Sequence, residues 1–120
     1  MKLVNTAGEN LSRMGTSLSR ISALFSMRAL EFVSFHEMDD EFNEGRLDPR
    51  YLPSVRRSVE LTSPELFPAG LRGLASTLQG HLSNLEAALM QNDLENARSE
   101  SQLAHESYHT LQRGVSEWLG

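Results

Sequence analysis

The chain contains no cysteine, which excludes disulfides, thiolate metal sites and cysteine nucleophiles. Proline is scarce and confined, with all four residues between positions 49 and 68. Valine and isoleucine together number only six, and since strands favour β-branched residues, a sheet is not expected. Long apolar runs are missing as well. The longest, residues 21–35, is interrupted by Arg28 and Glu31 and falls short of the ~20 residues a membrane-spanning helix needs. The start, Met1-Lys2-Leu3-Val4-Asn5, has one basic residue and no apolar core behind it, so it does not read as a secretory signal. The expected location is cytoplasmic, with signal-less export left open. Positive charge is in deficit: 11 basic against 16 acidic residues leave a net charge of −5. Phosphate recognition needs clustered positive charge, so nucleic acid is not the expected partner.

Leucine dominates what is present, with 19 residues among 120, and alanine and methionine add nine and five. These are good helix formers, and the expected class is all-α. The length suits one domain, 1–120, with residues 1–10 at a fraying end. Apolar steps of three, four or seven run through Leu11, Met14, Leu18, Ile21, Phe25, Phe32 and Phe35 and predict one face of a long helix. Thr6 with Glu9 forms a potential capping box, and Thr16 offers a second start. Gly45 ends the pattern. Asp48-Pro49 then starts a connector helix whose inner face is Leu52, Val55 and Val59, and Ser63-Pro64-Glu65 repeats that signal. The last helix follows the Asn92-Asp93 turn and has the cleanest register, from Leu94 to Trp118. The expected architecture is an antiparallel bundle of three long helices, about 12–44, 64–91 and 93–119, with a short connector helix at about 49–61.

The third segment carries leucine on one face (Leu71, Leu74, Leu78, Leu82, Leu85 and Leu89) and only small residues on the other: Gly73, Ser76, Gly80, Ser83 and Ala87. Each helix-interior glycine costs ~1 kcal/mol relative to alanine, so the stripe needs a reason. It either packs between neighbouring helices of its own bundle or receives a helix from a second copy or a partner. The first helix has surplus apolar width, with Phe25, Phe32 and Phe35 close together, and such surplus marks interaction surfaces. The alternative is that the connector helix covers it. The acidic end of that helix, Glu37 to Glu44, is followed by Arg46, Arg50, Arg56 and Arg57, which are expected to fold back and neutralise it.

One motif has chemical content. His105-Glu106-Ser107-Tyr108-His109 fits H-E-x-x-H, a spacing that puts two imidazoles on one helical face with a glutamate between them. These five residues resemble the active-site helix of zinc metallopeptidases, which implies His105 and His109 as ligands and Glu106 as base. Glu106 and His109 also form one E-x-x-H, as in hemerythrin-like and di-iron bundles, with no second copy. The final hairpin resembles that of four-helix b-type cytochromes, which implies His109 as a haem ligand with Met14 opposite. It is also similar to histidine phosphotransfer hairpins, without their H-x-x-K-G motif. The leading expectation is a non-enzymatic interaction module: an adaptor, a secretion-type chaperone of the kind common in bacteria, or a self-assembling subunit. It would use Phe25, Phe32 and Phe35 with the small-residue stripe, bind a protein partner or its own copy, and need no cofactor. The alternative is a metal- or haem-binding bundle built on His105, His109 and Glu106.

Overall fold

The structure, a computed structural model, describes residues 20–31, 33 and 35–119. The proposed capping box, the Thr16 start, Leu11, Met14, Leu18 and Phe32 lie outside the described residues. Every regular element among the described residues is helical. Residues 20–30 form the described part of α1, and four further helices pack together: α2 (Phe35–Asn43), α3 (Leu52–Leu61), α4 (Arg72–Met90) and α5 (Leu94–Leu119). The most extensive packing is α4 on α5, followed by α3 on α4 and α2 on α5. All three pairs run antiparallel. Val59 meets Gln79 while Arg56 meets Met90; His81 meets Glu100; Phe42 meets Arg98 while Asp39 meets His105.

The single helix expected over 12–44 is interrupted. Helical residues stop at Leu30, Glu31 lies in a turn and Val33 in a bend, and helix resumes at Phe35. The cause lies in the register. α1 buries Ala23, Ser26, Met27 and Leu30; an unbroken helix would next turn positions 34, 37 and 41 inward, which are Ser34, Glu37 and Glu41. The interruption shifts the inward phase by one residue, and Phe35, Met38 and Phe42 are buried instead. Local sequence permits this, since Phe32-Val33-Ser34-Phe35 holds four residues of modest helix propensity. The apolar face expected for this region is therefore corrected: Ile21 and Phe25 are each 63% exposed, while Phe35 is 3% exposed.

The end of α2 is closed by a left-handed glycine. Gly45 has φ +85, its N–H donates to the Phe42 carbonyl, and the Arg46 N–H reaches back to Glu41. This is the two-bond closure that glycine favours after a helix. Asn92 (φ 53) ends α4 in the same way, and the Asp93 side chain accepts from the Asn96 N–H at 3.1 Å to begin α5. The α5 register is as expected, with Ala97, Ser101, Ala104, Tyr108, Leu111 and Val115 buried.

The start of the third helix also needs correction. Residues 64–71 form two short 3-10 turns, Pro64–Leu66 and Ala69–Leu71, and the α-helix begins only at Arg72. Pro68 is the reason, because the residue before proline is pushed out of the helical region. Phe67 is extended accordingly (φ −118, ψ 154) and fully buried, and its carbonyl accepts from Arg72 Nε at 3.1 Å. The connector forms largely as expected, a 3-10 turn at Pro49–Tyr51 capped by Asp48 and running into α3, which buries Val55 and Ser58.

Glycine is used for close packing at a position the stripe did not suggest. A Cβ on Gly114 of α5 would lie 3.0 Å from both Leu71 Cδ2 and Leu74 Cδ1, whereas one on Gly73 or Gly80 would meet nothing within 4 Å. Replacing Gly73 or Gly80 with alanine should therefore stabilise the fold by about 0.5–1 kcal/mol each through helix propensity alone. Gly114→Ala gains the same propensity but crowds two leucines, so urea unfolding should show it well below the other two.

Candidate functional site

Two places bring predicted residues together. The first is on α1. Ile21, Leu24 and Phe25, spaced as one helical row, are all exposed. Beside them an open groove of about 410 Å³ runs between α1 and α3. Phe25, Ala29, Val33 and Leu61 give it an apolar lining, and Arg28 and Arg57 stand on it. Neither arginine has an ion-pair partner among the described residues. The connector helix thus approaches this face without covering Phe25.

The other interaction candidates are placed elsewhere. Phe35 belongs to the core, stacked on His105 and tilted against Tyr108 with ring centroids 5.9 and 5.3 Å apart. Gly73, Ser76, Gly80, Ser83 and Ala87 are all exposed on α4, and none of them lines the α1–α3 groove. The stripe does not pack inside its own bundle.

The basic connector neutralises the acidic α2 only in part. Arg50 binds Glu37 at 2.7 Å, Glu41 at 2.8 Å and Asp48 at 3.3 Å, and Arg46 pairs with Glu44. Arg56 turns away to Glu86 on α4 at 3.6 Å. The last turn of α2 gains a cation that the charge pattern did not reveal: Arg98 of α5 donates to the Phe42 carbonyl from Nε at 3.1 Å and from Nη2 at 3.0 Å. A cation at a helix C-terminus offsets the dipole that the surrounding carboxylates oppose.

The second place is the exposed side of α5. His105 and His109, one turn apart, meet Nε2 to Nε2 at 3.0 Å. His105 Nδ1 lies 2.7 Å from Asp39 Oδ2 on α2, and the buried Ser101 hydroxyl donates to Asp39 Oδ1. His109 Nδ1 is 3.3 Å from Gln112 Oε1, and His36 packs edge-on against His105 with centroids 4.5 Å apart. A cavity of about 390 Å³ opens over His36, His105 and His109. Asp39 and Ser101 are the residues that spacing could not find, since 66 positions separate Asp39 from His105.

The chemistry available there is limited by connectivity. Ser101, Asp39 and His105 are the residue types of a hydrolytic triad, but the hydroxyl is bonded to the carboxylate and not to the imidazole, so nothing withdraws its proton. Glu106 is exposed, makes no hydrogen bond to either histidine among the described residues, and faces a separate cavity with Arg98 and Gln102. Among the described residues, no three histidine or carboxylate groups converge as a preformed metal centre. Among those same residues, no helix is long and apolar enough to cross a membrane. Comparison of the chain with family models, with curated proteins and with solved structures finds no match.

Both tyrosines are displaced from ordinary behaviour. Burial pushes the Tyr51 phenol up, with Arg50 opposing, and burial followed by the Glu31 charge pushes Tyr108 up. A raised pKa favours the neutral phenol in the folded state, so this contribution is complete below the unfolded value of 10.0 and is lost as pH rises through the folded values. Tyrosinate absorbance of the native protein should therefore appear only above pH 10, together with loss of helical circular dichroism. The urea-unfolded chain should ionise near pH 10. Coincident native and unfolded titrations would contradict the burial of both rings.

Proposed function

We propose that the chain is a non-enzymatic helical interaction module, of the adaptor or secretion-chaperone kind, that receives an acidic amphipathic helix of a partner protein in the groove between α1 and α3. The observation that carries this reading is the exposed row Ile21, Leu24 and Phe25 on the rim of an apolar groove. An apolar helix face laid into such a groove removes several side chains from water, and a fully buried phenylalanine alone is worth about 1.5–3 kcal/mol. Arg28 and Arg57 supply the charge selection, since both stand at the groove without an intramolecular carboxylate among the described residues. Complementary charge raises the rate of encounter and fixes register more than it adds affinity.

The probe is a synthetic amphipathic peptide with leucine on one face and glutamate on its flanks, followed by fluorescence anisotropy. The intact chain should bind it with an affinity that falls as salt rises. Phe25→Asp and Arg57→Glu should each weaken binding by at least about tenfold, equivalent to 1.4 kcal/mol. Equal affinities for the parent chain and Phe25→Asp would overturn the reading. Light scattering supplies an independent arm: a mass above one chain that Gly80→Leu abolishes would move the interaction to the α4 stripe and make the partner a second copy.

A further inference from the structure

The carboxylate of Asp39 determines what the α5 histidines present to solvent. A carboxylate only accepts hydrogen bonds, so the proton between it and His105 sits on Nδ1, leaving the Nε2 lone pair of His105 directed at His109. His109 likewise has an acceptor, Gln112 Oε1, beside its Nδ1. With both Nδ1 atoms protonated, two lone pairs face each other across 3.0 Å, an arrangement that calls for a cation between or in front of them. We infer that His105 and His109 form a two-imidazole site for a divalent transition-metal ion of the Ni²⁺ or Cu²⁺ type, with Asp39, and not Glu106, as the outer group that orients it.

The distance selects the ion. Two nitrogens about 2.0–2.1 Å from a metal and 3.0 Å from each other subtend about 90–95°. That is the cis angle of a square-planar or octahedral ion and is narrower than the tetrahedral angle of structural zinc. Imidazole suits both Ni²⁺ and Cu²⁺. The remaining coordination positions belong to water, for which the cavity over His105 and His109 leaves room.

Asp39 cannot itself be a ligand in this arrangement, because Oδ1 takes the Ser101 hydroxyl and Oδ2 takes His105. Its role is the one carboxylates play behind metal-bound histidines, fixing tautomer and ring orientation. The second histidine–carboxylate pair in the molecule provides the contrast. His81 and Glu100 tie α4 to α5 at 2.8 Å, but with a single imidazole, so that pair is a structural link. This inference is independent of the α1–α3 groove, and either can fail alone.

The test is calorimetric titration of the untagged full-length chain with NiCl₂, with electron paramagnetic resonance of the Cu²⁺-loaded protein as a second readout. One equivalent should bind saturably, and the Cu²⁺ spectrum should show two equivalent-type nitrogen ligands. Asp39→Asn should weaken binding about 10–100-fold and Glu106→Gln should leave it unchanged. His109→Ala alters an exposed position without touching the Asp39–His105 bond, so it keeps the test valid if the Asp39 variant misfolds; it should lower affinity by at least about tenfold. Absence of saturable Ni²⁺ binding, or binding equal to the parent in His109→Ala, would overturn the proposal. A loss in Glu106→Gln matching that in His109→Ala would overturn the role given to Asp39.

Discussion

The one-residue register shift between Leu30 and Phe35 is the constraint on which the rest of the structure depends. Before it, α1 buries a modest face of alanine, serine, methionine and leucine; after it, α2 buries two phenylalanines and a methionine. Continued helix would have turned Ser34, Glu37 and Glu41 toward the core, and an unpaired buried carboxylate is among the most costly groups a fold can hold. Interrupting a helix forfeits a few backbone hydrogen bonds, each worth about 1 kcal/mol net. Replacing a serine and two carboxylates by Phe35, Met38 and Phe42 at the inward positions outweighs that loss.

The same shift sets the polar chemistry of α2. Asp39 lies one turn beyond Phe35 and so faces α5, where Ser101 and His105 engage it. Glu37 and Glu41 are left on the other side, where Arg50 gathers them. Arg98 closes the end of the helix by binding the Phe42 carbonyl. A short helix crowded with carboxylates is thereby held by one apolar face and by basic or hydroxyl groups drawn from α5 and the connector. On the opposite side of the break, α1 keeps Ile21, Leu24 and Phe25 in solvent. The exposed row and the buried aromatic face are two consequences of one interruption.

Legibility in the sequence followed how far each segment's inward positions were also its most apolar ones. In α5 and α4 they coincide: the Ala97-to-Val115 ladder and Leu71, Leu78, Leu82, Leu85 and Leu89 are buried as their spacing implies. The Asn92-Asp93 turn was equally plain, because a left-handed residue and a capping aspartate are local chemistry. In α1 the two diverge. Its largest hydrophobes point outward, so periodicity selected the wrong face and ran Phe25 and Phe35 into one stripe. The late start of α4 was hidden because Pro68 was taken to adjust a first turn, whereas its effect on Phe67 forbids helix there. The small-residue stripe was visible, but its environment was not; the glycine that permits close packing is Gly114, on the partner helix. For the histidine pair, helical spacing revealed the two rings and suggested Glu106. Asp39 enters only through tertiary packing.

The central claim is the interruption itself, and backbone ¹³Cα chemical shifts test it most directly. The account predicts helical shifts through Leu30, their collapse over residues 31–34, and their return at Phe35 through Asn43. Uninterrupted helical shifts from residue 20 to residue 43 would contradict it. That result would return Glu37 and Glu41 to the inward phase and remove the basis for both the exposed α1 row and the Asp39–His105 contact.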